Sequence, residues 1–84
     1  MNRDKIVSGV SEVFFSIFGV SVNDGNNLSS GDIAGWDSLN HVILIRELEK
    51  QFGLRFDLFE ALELTGTEAI IRYIDLKINS DGHS

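Results

Sequence analysis

Apolar residues recur at steps of three and four near the start of the chain, as Ile6, Val7, Val10, Val13, Phe14, Ile17 and Phe18. That spacing gathers them on one broad stripe of a helix from Asp4 to Phe18, with Ser8, Ser11 and Glu12 toward the opposite face. The period returns from Ser38 to Phe52 in Val42, Leu44, Ile45, Leu48 and Phe52. Gly53 followed by Leu54 then supplies the left-handed residue and apolar clamp of a helix end. Asp57 with Glu60 has the spacing of a capping box and opens a short third helix through Leu58, Phe59, Ala61, Leu62 and Leu64. Thr65 with Glu68 repeats the device ahead of a last helix, lined by Ile70, Ile71, Ile74 and Ile78 and ending near Ile78.

Between the first two helices, Asn23-Asp24-Gly25-Asn26-Asn27 and Ser29-Ser30-Gly31 are turn-forming, with Leu28 as an apolar anchor between them. A loop of roughly 16 residues in so small a chain has to be packed down or functional. No run alternates as a strand does, and proline is absent. The pattern predicts an all-α fold, a small four-helix bundle of three longer helices and a short third one, with a long loop between helices one and two. Residues 1–78 are expected to form a single domain and 79–84 a flexible C-terminal tail.

Composition narrows what such a fold can do. An 84-residue chain with 43% hydrophobic residues buries a modest core and has little material for an enclosed catalytic pocket. The formal net charge of -6 disfavours nucleic acid and anionic membranes as partners and favours basic ones. The absence of cysteine removes disulfides, thiol nucleophiles and thiolate metal sites together. His41 and His83 stand far apart, so no metal site is expected. Asp4 and Glu12 interrupt the apolar start, which argues against a secretory signal. No run has the length of a membrane span, and a cytoplasmic monomer is the expectation.

Two chemical readings fail on spacing. A calcium loop centred on Gly25 would put Val20 and Val22 at ligand positions, and one centred on Gly31 would put Leu28 there. Asp37, Ser38 and His41 hold the side-chain types of a hydrolytic triad. However, Trp36-Asp37-Ser38-Leu39-Asn40 lacks the glycines of a nucleophile elbow, and no strand precedes it. The chain is therefore read as non-catalytic, and His41 as a solvated first-turn residue.

Ser38 is a good helix cap by type, but Asp37 can cap the same helix and leave the Ser38 hydroxyl free in the first turn. There, unpaired backbone N–H groups and the positive helix end favour a bound phosphate. Gly35 can make the tight entry, with Trp36 as a lid over the core edge. Leu39 and Ile43 form a second apolar stripe on the helix, beside Arg46 and Lys50.

With Gly35 before it and Leu48-Glu49-Lys50-Gln51-Phe52-Gly53 closing its helix, Asp37-Ser38-Leu39 resembles the signature of acyl carrier proteins and the related peptidyl carrier domains. The resemblance extends through Phe56, Leu62-Glu63-Leu64-Thr65 and the isoleucine helix. It implies that a phosphopantetheinyl transferase attaches 4'-phosphopantetheine from coenzyme A to Ser38. The arm would then carry acyl groups as thioesters between acyl-activating, acyltransferase or condensing enzymes of a fatty-acid, polyketide or other specialised pathway. An aminoacyl or peptidyl cargo is the close variant, and an unmodified helical adaptor the alternative. By the same resemblance, Asp37, Leu39, Ile43 and Arg46 would meet the modifying and partner enzymes. Asn40 and Ile43 stand where the familiar carriers place acids, which implies a dedicated partner with a less basic, more apolar docking surface.

Overall fold

The computed structural model describes residues 2–81, without the side chains of residues 80 and 81. Four helices follow in order: α1 (Arg3–Phe18), α2 (Ser38–Phe52), α3 (Leu58–Leu62) and α4 (Thr67–Asp81). Among the described residues the fold is all-α, and no helix is long and apolar enough to cross a membrane. Helix α1 packs against both α2 and α4. Ile6, Val10, Phe14, Leu44, Leu48, Ile70 and Ile74 meet in a fully buried core. α4 continues past the expected end at Ile78, so that 79–81 are helical, and the rest of the expected tail, including His83, lies outside the described residues.

Local chemistry explains the helix ends. Asn2 caps α1 by accepting from the Lys5 N–H, and Gly19 and Gly53 close α1 and α2 in the left-handed region. Asp57 accepts from the Glu60 N–H at 3.0 Å, which is half of the expected capping box. The other half is replaced: the Asp57 N–H donates to the Tyr73 hydroxyl, which itself donates to the Glu60 carboxylate. The start of α4 departs further from expectation. Thr65 does not cap it; the helix begins at Thr67, and its first N–H groups are taken by the long loop. Thr67 N–H donates to the Leu28 carbonyl at 2.8 Å, and Glu68 N–H donates to Asn27 Oδ1 at 3.1 Å. In return the buried Thr67 hydroxyl accepts from the Leu28 N–H.

The loop over residues 19–37 is therefore packed down, not floating. Val22, Ile33 and Trp36 are buried in the core with Leu28 packed against it, and Ser29 pairs with Gly66 in an isolated bridge. Arg3 ties three segments together, reaching Asp24 in the loop at 3.0 Å and Glu68 on α4 at 2.9 Å. The Asp24 carboxyl is held below the usual carboxylate range, first by the hydrogen bond from Arg3.

Within the same loop Asp32 accepts from the backbone N–H and the hydroxyl of Ser29, both at 2.9 Å. These bonds, the backbone one foremost, lower the Asp32 pKa below its ordinary 3.8. A carboxylate whose folded value is depressed stabilises the fold above the unfolded value and ceases to do so as pH falls through the folded one. Asp32→Asn is thus expected to lower the melting temperature above pH 4, with the gap to wild type closing as pH falls below 3.8. Parallel melting curves across pH, with a constant gap, would contradict it.

Candidate functional site

The segment before α2 is bent by short-range bonds. Gly35 adopts φ +88°, a conformation that side chains disfavour, and turns the chain so that Trp36 enters the core. The indole meets Phe14 edge-on with ring centroids 5.2 Å apart. Asp37 then caps α2, its carboxylate accepting from the Asn40 N–H at 2.8 Å. Asn40 locks the turn from the other side, donating its amide to the Gly35 carbonyl at 2.7 Å. This role of Asn40 was readable in principle from the Asp-x-x-Asn spacing, but sequence reasoning missed it.

With the cap supplied by Asp37, Ser38 is the first residue of α2 and is exposed. Its hydroxyl enters no side-chain hydrogen bond among the described residues. Asp37 occupies the Asn40 N–H, whereas the N–H groups of Ser38 and Leu39 precede any intrahelical acceptor and face outward. The serine stands on the rim of an open cleft of about 270 Å³, also lined by Trp36, His41, Leu62 and Thr65.

His41 departs from the expectation of a solvated residue: it is 8% exposed and bonded at both ring nitrogens. The Trp36 indole N–H, which can only donate, reaches Nδ1 at 2.9 Å. The ring proton therefore sits on Nε2, which donates to the Ala61 carbonyl at 2.7 Å. One imidazole thus joins the loop, α2 and α3. Because His41 turns inward with Leu44, Ile45 and Leu48, Val42, expected in the core, is exposed.

Of the residues assigned to a contact face, Leu39 is 72% exposed, Ile43 42% exposed, and Arg46 is exposed as well. The short α3 departs from its expected amphipathic burial. Within it only Ala61 is buried, whereas Leu58, Phe59 at 80% exposure, and Leu62 face outward. Five residues are too few to hold a helix alone. α3 is held by the His41 bond to Ala61 and the Tyr73 bond to Glu60. Among the described residues no cluster of side chains suits a metal ion.

Comparison of the chain with family models, with curated proteins and with solved structures finds no match.

Proposed function

We propose that the protein is a carrier whose Ser38 receives 4'-phosphopantetheine from coenzyme A and presents thioester-bound acyl groups to biosynthetic enzymes. The observation that carries this reading is the exposed Ser38 hydroxyl, relieved of capping by Asp37 and standing beside a cleft. In the loading step the Ser38 oxygen forms a bond to the phosphorus next to pantetheine. The pyrophosphate P–O bond breaks, adenosine 3',5'-bisphosphate leaves, and a base on the transferase takes the serine proton. The chain itself contributes a hydroxyl and the unpaired N–H groups of Ser38 and Leu39, which suit a phosphodiester at a helix start. The bound group supplies a thiol that this cysteine-free chain lacks.

Exposed Leu39 and Ile43 on α2, with Leu58, Phe59 and Leu62 on α3, supply an apolar surface beside the attachment point. Transient contact with successive enzymes suits such a surface, with Asp37 and Arg46 as polar neighbours. The same patch favours a second reading, an unmodified adaptor that binds one partner.

Incubation with coenzyme A and a permissive phosphopantetheinyl transferase separates the two. The carrier reading expects one phosphopantetheinyl increment in intact mass, located at Ser38 by peptide fragmentation. A folded chain that stays unmodified would reject it and leave the adaptor.

A further inference from the structure

We infer that, whatever Ser38 carries, the Asp24-Gly25 step of the long loop is a site of spontaneous isomerisation to isoaspartate, restrained by Arg3, and so a substrate for a carboxyl methyltransferase that repairs such residues. An aspartate before glycine is open to this reaction because glycine has no side chain to obstruct its own nitrogen. Asp-Gly occurs twice in the chain, at Asp24-Gly25 and Asp81-Gly82, and the first lies in the described loop. There the Asn26 N–H donates to the Asn23 carbonyl at 3.2 Å, which places Asp24 and Gly25 at the centre of a tight turn. The Asp24 side chain is half exposed, and Gly25, at φ +84°, has nothing within 4 Å of where a Cβ would stand. Water and a modifying enzyme thus reach this step without unfolding of the domain.

The reaction needs only the chain and water. The Gly25 nitrogen forms a bond to Asp24 Cγ, the nitrogen's proton and the carboxyl hydroxyl leave as water, and a five-membered imide closes. Water then adds at Cγ, which restores aspartate, or at the main-chain carbonyl carbon, whose bond to nitrogen breaks so that the chain runs on through Cβ and Cγ. Ring closure uses the protonated carboxyl, because hydroxide leaves and oxide does not. Arg3 opposes that form. Its Nε donates to both Asp24 oxygens, at 3.1 and 3.2 Å, and its Nη2 to Oδ1 at 3.0 Å, a fork that favours the ionised carboxylate and fixes its plane. Arg3 is foremost among the groups that hold this carboxyl below its ordinary range, and the Gly25 N–H acts on it as well, which sets the attacking nitrogen beside the carboxyl group. After isomerisation the carboxylate hangs directly on Cα while the main chain is longer by one methylene, so the fork no longer fits. The loop then loses its ionic tie to α1, and Arg3 keeps Glu68 alone.

The test ages folded wild type, Arg3→Gln, Glu68→Gln and Asp24→Glu side by side at mildly acidic pH and body temperature for several weeks. Isoaspartate is counted by methyl transfer from labelled S-adenosylmethionine with an isoaspartate methyltransferase, and located by electron-transfer fragmentation of tryptic peptides. Asp24 falls in peptide 6–46 and Asp81 in peptide 78–84, so the two Asp-Gly steps are read separately. Wild type is expected to gain isoaspartate at Asp24 slowly. Arg3→Gln should gain it at least about threefold faster, since an opposite charge at hydrogen-bond distance changes the protonated fraction of a carboxyl by roughly tenfold or more. Glu68→Gln removes the other ion pair of Arg3 and leaves the fork on Asp24, so it should keep the wild-type rate. Asp24→Glu, whose ring would be larger by one carbon, should form no isomer at that position. Circular dichroism follows folding through the series. Equal rates in wild type and Arg3→Gln would overturn the restraint, and so would an equal acceleration in Glu68→Gln, which would trace the reaction to a loosened domain. No isoaspartate at Asp24 in Arg3→Gln, while the urea-unfolded chain forms it, would overturn the site itself.

Discussion

His41→Leu is expected to cost about 2 to 5 kcal/mol of stability although it replaces one side chain of α2 by another that fills the space. The leucine leaves the Trp36 indole N–H and the Ala61 carbonyl without their partner, in a place where both were satisfied. Each buried polar group stranded in this way costs roughly 1 to 3 kcal/mol. At roughly 0.05 to 0.15 kcal/mol per residue, an 84-residue domain has about 4 to 13 kcal/mol in all, so the loss is a large share. A melting temperature lower by roughly 8 to 40 °C follows for a domain of this size. Trp36→Phe removes the donor, so in that background the cost of His41→Leu should fall by about 1 kcal/mol or more, and a double-mutant cycle measures the coupling. Urea denaturation followed by circular dichroism serves all four proteins. A His41→Leu variant within about 0.5 kcal/mol of wild type would mean that the imidazole only fills space.

The same histidine shows where the sequence was legible and where it was not. Gly53 and the Asp37 cap could be read because each is decided within a few residues of chain, by one backbone conformation and one side-chain bond. The inward face of α2 could not be assigned by period alone. His41, Leu44, Ile45 and Leu48 follow the helical steps as well as any set that starts from Val42, and a histidine scores as polar until its partners are known. One partner, Trp36, is close in sequence; the other, Ala61, is twenty residues away and enters only through tertiary structure.

Long-range contacts account for the other departures. Thr65 and Glu68 have the spacing of a capping box, yet the loop around Asn27 and Leu28 reaches the start of α4 first and takes its free N–H groups. In α3 the apolar residues have the composition of a core stripe, but a one-turn helix has only one side to bury. Ala61 uses the buried side, and Leu58, Phe59 and Leu62 are left outside. At the candidate site, the sequence showed that Asp37 could release Ser38 from capping, but not that Asn40 clamps the same turn from behind.

Division of labour between Asp37 and Ser38 can be tested by asking which substitution affects folding and which affects loading. Ser38→Ala is expected to abolish phosphopantetheinylation while leaving stability within about 0.5 kcal/mol of wild type, because an exposed first-turn serine is replaced by a better helix former. Asp37→Ala should do the reverse. It removes the bond to the Asn40 N–H and so about 0.5 to 2 kcal/mol, while Ser38 keeps the hydroxyl that takes up the arm, so that loading is slowed by the lost contact with the transferase but not abolished. Melting temperature and intact mass after exposure to coenzyme A and transferase read the two effects on the same samples. The opposite pattern, a Ser38→Ala variant that melts early beside an Asp37→Ala variant that does not, would return Ser38 to the role of a cap. The hydroxyl would then be occupied in holding α2 and would not be free to carry an arm. The outcome turns on one hydrogen bond of 2.8 Å, the bond by which the aspartate frees the serine.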